Sequence, residues 1–427
     1  MKAQRKFYGW YMVGTLWLVY LINVGFVFYG SNVINTAMVQ DLGMSRKTLG
    51  AGFALFHLIQ SGLSAPFVAM IINRRGVRFA IILGSLIVVA GALAMTTVVN
   101  TPWMFLAVFS VVIALGVGFG GVLTVQTGVT FWFERKRALA MSLTLTAAGI
   151  GGFVAAPALN GIIAMAGNNW RIGWFLVAGL SAAAMVISAL FVKNRPSDLG
   201  QVPDGGTGEQ KHDDYKKAGK SVIYRTDRRW TAVEVFKTAS LWLIFISIVG
   251  FFVPYLFCVA HGVIYLIDKG FPQSLAAISL GLITLFSIIG RLVGGVLGDR
   301  IEPRYIWAFS VAVLAVGVVS CMYARSPAFV FLYTICVGFG FGAAYVLMPT
   351  IIGNYFGAQT FASIMGTLFL LITLFSSASP FVGGVIHDWT GSYTAAFTGA
   401  LAFAVTSVIA ILAVRPPQAK DEPESGI

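Results

Sequence analysis

The stretch GVLGDRIEPR, residues 295–304, closes a long apolar run and has a counterpart, AMIINRRGVR, at residues 69–78. Each stretch follows the second apolar run of its half of the chain. A further pair, AAPALNG (155–161) and ASPFVGG (378–384), places a proline four residues before a glycine in both halves. The two halves are therefore predicted to be an internal repeat with the same orientation.

The composition indicates a membrane protein. Hydrophobic residues make up 58% of the 427 residues, charged residues only 11%, and the mean hydropathy is +0.84. Soluble domains contain about 25% charged residues, whereas a helix that crosses a bilayer needs about 20 consecutive apolar ones. The sequence predicts an all-α membrane protein with twelve transmembrane helices in two pseudo-symmetric six-helix bundles. The apolar runs are 9–30, 48–72, 79–99, 103–128, 138–165, 172–193, 239–265, 273–298, 305–323, 327–353, 360–386 and 392–414.

One internal segment interrupts this pattern. Residues 194–232 are polar, charged and contain glycine and proline, which is typical of a linker. The predicted organisation is an N-terminal bundle at 1–193, this linker on the cytoplasmic side, a C-terminal bundle at 233–415 and a cytoplasmic tail at 416–427.

The distribution of charge predicts the orientation. With the N-terminus placed in the cytoplasm, 23 of the 29 Lys and Arg residues lie on the cytoplasmic side, five lie on the other side, and Arg291 lies within a span. This asymmetry follows the positive-inside rule and predicts that both termini are cytoplasmic, in the inner membrane. The net charge of +13 thus reflects topology. We expect a monomer in the lipid bilayer, with no nucleic-acid partner.

The repeated stretches carry a family resemblance. The major facilitator superfamily has the motif Gly-x-x-x-Asp-Arg-x-Gly-x-Arg after its second and eighth spans, and the chain resembles that superfamily over essentially its whole length. Glu302 replaces the inner glycine in the second half, and Ala69 and Asn73 replace the first glycine and the aspartate in the first half. The matching positions are Gly295, Asp299, Arg300 and Arg304, and Arg74, Gly76 and Arg78.

Arg291 is the central candidate for binding a substrate. Eight residues separate it from Asp299, so it lies about 12 Å from the end of the helix, near the middle of a ~30 Å hydrocarbon layer. A charge at that depth is costly and should face protein or water. All sixteen acidic residues fall in loops, tails or helix ends, so we expect an external anion as the partner of Arg291. A purely structural arginine is the alternative.

A finer resemblance supports this role. The stretches WFERKRALAMS and HGVIYLIDKGF are similar to those of bacterial monocarboxylate and oxalate–formate transporters. In those families an arginine eight residues before the loop aspartate binds the substrate carboxylate. The exchangers' second cation in span eleven is replaced here by hydroxyl residues. The lysine and aspartate that human-type monocarboxylate carriers use for proton coupling correspond to Phe28 and Ser287.

One buried cation favours a singly charged anion. Arginine offers planar, bidentate donors that suit a carboxylate. Further polar residues at a suitable depth could complete the site, although each could equally form a bond between helices. These candidates are Tyr345, Gln126, Asn23, Tyr29 and Ser376.

Proton coupling and gating have their own candidates. His261 and, second to it, His57 lie within spans and could change charge near neutral pH, with a structural role as the alternative. Asp299 is expected near the start of the fifth span, where the helix N-terminus and Arg137 both favour a carboxylate. Such a contact would form only when the cytoplasmic side is closed. Arg300, Arg74 and Arg78 are the further gating candidates on that side.

These observations predict a secondary transporter and exclude other classes. The sequence contains no phosphate-binding Gly-x-x-x-x-Gly-Lys-Ser/Thr loop, and no pattern that predicts an enzyme active site, a metal site or a cofactor. We predict transport of a small organic anion, most simply a monocarboxylate, by alternating access with or without a proton. An anion exchanger of the oxalate–formate type and a transporter-like substrate sensor are the alternatives. The substrate could be lactate, pyruvate, an aromatic acid or another small acid.

Overall fold

The computed structural model describes residues 6–205 and 223–417, and every regular element in those two ranges is a helix. Part of the predicted linker, 206–222, and most of the predicted tail, from 418 onward, lie outside the described residues. The helices form twelve spans, numbered here in chain order. Their bounds are Gly9–Val39, 46–75, 77–97, Pro102–Trp132, Arg137–Met165, Trp170–Phe191, Ala239–Asp268, Gln273–Gly298, Pro303–Met322, Pro327–Phe356, Phe361–Thr390 and Thr394–Ala413.

The division between spans 2 and 3 depends on one glycine. Eleven helices of the described chain are long and apolar enough to cross a membrane, and Ala65–Thr97 is one of them. That helix is broken at Gly76, whose φ of 86° and ψ of 170° are not helical. A Cβ there would also lie 2.4 Å from Oδ1 of Asn194. The break separates span 3 from span 2, which includes the shorter apolar helix Thr48–Leu63. The prediction of twelve spans is confirmed.

Small residues allow the spans to approach closely. Gly25 of span 1 faces Gly151 of span 5, and a Cβ on either glycine would lie within 2.6 Å of the other glycine's Cα. Such contacts replace the hydrophobic driving force that is absent between helices in a bilayer. Span 1 also contains a π-helical stretch, Leu21–Tyr29, which includes the crossing at Gly25. Irregular turns of this kind are frequent at functional sites.

Both described chain ends lie on one face of the protein, which we call the linker face. The backbone N–H of Tyr8 donates to Gln201 of the linker at 3.0 Å, and Ser240, at the start of span 7, donates to the carbonyl of Arg415 at 2.7 Å. This is the face that the sequence predicts to be cytoplasmic.

The two bundles meet near the linker face and separate toward the opposite face. The first segment of span 11, Phe361–Ser376, packs against span 2 of the other bundle. There Asn73 donates to the hydroxyl of Ser363 at 2.8 Å. The second segment of span 11, Ala378–Thr390, packs instead on spans 7 and 12 of its own bundle. Likewise Ser31–Asp41 of span 1 packs on spans 5 and 6. The crevice between the bundles therefore opens at the face opposite the linker.

Candidate functional site

Arg291 projects from span 8 toward the other bundle. Its Nη1 donates to the backbone carbonyl of Leu145 in span 5 at 2.8 Å. The guanidinium carbon lies 5.3 Å from the centroid of the Tyr345 ring, in a cation–π arrangement. Its Nε is buried and has no hydrogen-bond partner among the residues that the structure describes. The side chain is thus oriented by both bundles and retains a donor for a further acceptor.

No carboxylate neutralises this arginine within the described chain. The ion pairs recorded between described residues join Arg171 to Asp41, Arg228 to Glu234 and His387 to Asp388. None of them involves Arg291. The described residues also contain no group of three or more His, Cys, Asp or Glu side chains that could hold a metal ion. A buried charge without a partner is strongly unfavourable, so the site suits an anion.

Tyrosine side chains from three spans lie in the neighbourhood of Arg291. The Tyr345 ring of span 10 lies against the guanidinium, and Tyr255 of span 7 is joined to it through stacking on Phe341. Tyr29 of span 1 packs on Gly152 of span 5, one turn from Gly149, which adjoins Nη1 of Arg291. The structure therefore brings together the predicted residues Arg291, Tyr345 and Tyr29. Tyr255 is an addition that sequence reasoning missed. The available signal was a tyrosine directly after Pro254, the proline inside span 7.

The remaining predicted substrate residues occupy buried positions in the helix packing. The amide nitrogen of Asn23 donates to the hydroxyl of Ser85 at 3.4 Å and to the carbonyl of Gly120 at 3.5 Å. Asn23 therefore forms bonds between helices, the alternative to substrate binding. Gln126 is fully buried, and neither end of its amide has a described partner. The hydroxyl of Ser376, at the break in span 11, is also buried without a described partner. Ser287, one turn before Arg291, is in the same situation and was not predicted as a site residue.

His261 links span 7 to spans 11 and 12. Its Nε2 lies 2.7 Å from the carbonyl of Pro380, and its Nδ1 lies 3.3 Å from the hydroxyl of Tyr393. A carbonyl only accepts, so Nε2 carries a hydrogen and Nδ1 accepts from Tyr393 in the neutral ring. Protonation would place a hydrogen on Nδ1 and reverse that bond. The bond to Pro380 of span 11 is therefore kept in both charge states, whereas the bond to Tyr393, at the start of span 12, depends on the charge of the ring.

The other histidines take different positions. His57 lies in span 2 with its ring 6.5 Å from that of Phe28, and its side chain is exposed. His387, which is not among the predicted proton carriers, stacks on Tyr393 with ring centroids 4.2 Å apart. It therefore contacts the same tyrosine as His261. The sequence gives no local signal that the two histidines contact one tyrosine, because they are 126 positions apart.

Asp299 caps the start of span 5. Its two carboxylate oxygens accept the backbone N–H groups of Ala138 and Leu139, both at 2.9 Å. The guanidinium of Arg137 takes a different direction from the one predicted: Nη1 donates to Oδ1 of Asn354 in span 10 at 2.6 Å, and Nε donates to the carbonyl of Phe133. Two separate contacts thus join the bundles at the linker face. Burial raises the pKa of Asp299 to about 6, although the two N–H groups favour the charged form.

Comparison with known proteins gives the family. The model of the Major Facilitator Superfamily matches residues 16–374 and 284–426. The chain belongs to the major facilitator superfamily. Curated relatives include monocarboxylate transporter 13 of Bos taurus, 28% identical over 357 residues that cover 79% of this chain and 74% of the relative. Monocarboxylate transporter 12 of Rattus norvegicus is 26% identical and covers 78% of this chain and 71% of its own.

Solved structures support the same fold. A superfamily transporter, FucP, in the outward conformation has a TM-score of 0.71 at 12% identity, covering 94% of this chain and 97% of its own. The human organic anion transporter MFSD10 (TETRAN) has a TM-score of 0.66 at 14% identity, covering 94% and 99%. At these identities the likeness shows the architecture alone. This superfamily transporter is therefore an integral membrane protein and not an enzyme.

The last arginine of each motif stretch in this transporter binds the end of the last span of its own bundle. Arg78 donates through Nη2 to the carbonyl of Ala189 in span 6, and Arg304 donates through Nη1 to the carbonyl of Val414 after span 12. The two arginines are equivalent positions of the internal repeat. Arg78, predicted for the gate, thus contacts its own bundle. Arg74 lines a surface pocket beside span 11, and Arg300 is exposed just after span 8.

Glu302, which replaces the inner glycine of the motif, holds part of the linker on the protein. Its buried carboxylate accepts the backbone N–H of Tyr224 at 2.9 Å and the hydroxyl of Tyr355 at 2.7 Å. Residues 223–230, which we call the linker strap, pass over the linker face at this point. Thr226 donates to the carbonyl of Asn354 at 2.8 Å, and Arg225 donates to the carbonyl of Glu134 in the first bundle at 3.0 Å. The strap therefore binds both bundles, above a cavity of about 270 Å³.

Proposed function

We propose that this transporter carries a small organic anion, most simply a monocarboxylate, by rocker-switch alternating access. The observation that supports the proposal best is Arg291, which lies between the bundles with a free buried donor and no described carboxylate partner. The ring of Tyr345, which lies against the guanidinium, offers a further contact to the same anion. A single cation balances a single negative charge, which favours a monocarboxylate over a dicarboxylate. The names of the curated relatives, monocarboxylate transporters, agree with this choice.

The direction of opening completes the proposal. If the positive-inside rule holds, the linker face is cytoplasmic, and the crevice opens to the outside of the inner membrane. Asp299, Arg137 and the linker strap then close the cytoplasmic side. Alternating access requires those contacts to break while the opposite ends of the bundles approach each other.

Uptake into proteoliposomes tests the proposal. We expect labelled monocarboxylates to accumulate or exchange, and dicarboxylates of similar length to do so at least tenfold more slowly. An imposed pH gradient distinguishes a proton symporter from an exchanger, since both show counterflow against an unlabelled acid but only the symporter is driven by the gradient. Saturable binding of monocarboxylates without movement across the membrane would favour a sensor instead and contradict the proposal.

We also propose that His261 carries the coupled proton, with His57 as the second candidate. Replacing His261 with glutamine removes the group that changes charge next to Pro380 and Tyr393. Uptake driven by a pH gradient is expected to fall at least tenfold, while exchange of labelled for unlabelled substrate persists. His387→Gln is the matched control, because His387 contacts the same Tyr393 but pairs with Asp388 instead of Pro380. Gradient-driven uptake equal to that of the wild type in His261→Gln would contradict this role.

The raised pKa of Asp299 predicts how pH affects the gate. The carboxyl of Asp299 has a pKa of about 6 while the linker face is closed, and an exposed aspartate has an ordinary pKa of about 3.9. Asp299 therefore binds a proton more tightly in the closed state than in the open state. Lowering the pH from 7 to 5 on the linker side is therefore expected to favour the closed linker face, by about tenfold. Spin-label distances across that face measure the shift. Asp299→Asn should lack this pH dependence. If the distances in that variant changed with pH as much as in the wild type, the effect could not be assigned to Asp299.

A further inference from the structure

We infer that the site around Arg291 selects monocarboxylates whose body is an aromatic ring. The inference rests on the proposed function and narrows its substrate class. It is supported by the arrangement of aromatic rings on the two sides of the crevice.

One wall of the site belongs to the first bundle and is formed by Tyr29. Its ring lies flat on span 5 at Gly152, where a Cβ would be 3.1 Å from the ring carbon Cγ. The side chain is 40% exposed. Gly149, one turn before Gly152, adjoins Arg291, since a Cβ there would lie 3.9 Å from Nη1. We therefore place the exposed surface of Tyr29 in the crevice rather than toward lipid. An aromatic face in the first bundle is thus available to a molecule bound at Arg291.

The other wall belongs to the second bundle and consists of three rings in a stack. Tyr255 and Phe341 are parallel, with centroids 3.4 Å apart and an interplanar angle of 7°. Phe341 and Tyr345 follow at 5.5 Å and 27°. The last ring lies beneath the guanidinium of Arg291. The stack therefore begins at the cation with Tyr345 and ends with Tyr255.

Both walls adjoin the cation. Tyr29 lies at Gly152, one turn of span 5 from the Gly149 that adjoins Arg291, and Tyr345 lies against the guanidinium from the other bundle. A carboxylate on Arg291 would thus hold its body between an aromatic surface on either side. Aromatic pairs gain attraction beyond the burial of area when they stack or meet edge to face. A flat aryl group makes such contacts with both walls, whereas the body of acetate or lactate reaches only part of them.

A comparison of benzoate with cyclohexanecarboxylate tests the inference, because the two acids have similar size and charge and differ in aromaticity. Binding to the purified full-length protein is measured by competition with a labelled monocarboxylate, with acetate as the minimal acid. We expect benzoate to bind at least tenfold more tightly than cyclohexanecarboxylate. Tyr255→Leu and Tyr29→Leu should each reduce that ratio at least threefold, and Tyr255→Phe, which keeps the ring, should retain it. Tyr323→Leu, at the exposed end of span 9, is the control and should leave it unchanged.

The outcomes separate this inference from the proposed function. Equal affinities for benzoate and cyclohexanecarboxylate, or a ratio that survives in both leucine variants, would overturn the aromatic preference. If acetate binding still depended on Arg291, the proposed function would stand without the aromatic preference. An absence of binding by every carboxylate would overturn both.

Discussion

Arg291→Lys is expected to weaken monocarboxylate binding about 100-fold and to abolish measurable uptake. Lysine keeps the charge but lacks the planar fork that binds a carboxylate while donating to Leu145. Losing one charge-assisted hydrogen bond costs about 1.5–3 kcal/mol, and each 1.4 kcal/mol is about a tenfold change in affinity. Arg291→Ala removes the charge as well and should have the larger effect.

Binding and proteoliposome uptake check this expectation in parallel. Arg325→Lys, an exposed arginine after span 9, is the matched control and should transport normally. Detergent-solubilised yield and elution profile establish that each variant is folded. Wild-type uptake by the lysine variant would mean that charge alone suffices, and the bidentate account of the site would be wrong.

Asp299→Ala is expected to shift the transporter toward the state with an open linker face by about tenfold or more. The substitution leaves the N–H groups of Ala138 and Leu139 without their acceptor while the face is closed. An unsatisfied buried donor costs about 1–3 kcal/mol, and that cost disappears when water reaches the helix end. Carboxylate affinity in the outward-open state should change much less than in the Arg291 variants.

Distances between spin labels on the linker ends of the two bundles measure this shift. The matched control is Asp198→Ala, because Asp198 lies on the same face but caps a turn within its own loop, accepting from the N–H of Arg195 at 3.1 Å. An unchanged distance distribution in Asp299→Ala would leave Asp299 as a helix cap without a gating role.

Much of this molecule was predictable because the bilayer imposes strong constraints. Segment length and polarity predict the spans, and the internal repeat predicts that Asp299 lies beside span 5. The depth of Arg291 follows from counting residues along a helix. Each of these inferences needs only local spacing and the thickness of the membrane.

The rest depends on contacts between distant segments. Tyr255 joins the site because its ring stacks on Phe341 of span 10, and no local pattern encodes that contact. Arg137 binds Asn354, 217 positions away, instead of the aspartate that its charge favours. The linker strap was also missed, because polar composition predicts a flexible segment whereas backbone hydrogen bonds to Glu302 and Asn354 order this part of it.

The strap behaves as a tethered ligand for the first bundle. It is covalently joined to span 7 and held on the second bundle by Glu302 and Asn354, so it travels with that bundle when the linker face opens. The acceptor of Arg225 then remains close, at an effective concentration that a short tether sets in the millimolar range. Closing is therefore a unimolecular rebinding step, and its rate is independent of how much protein the membrane contains. A free peptide with the sequence of residues 223–230 would compete for the first bundle only at concentrations of that order.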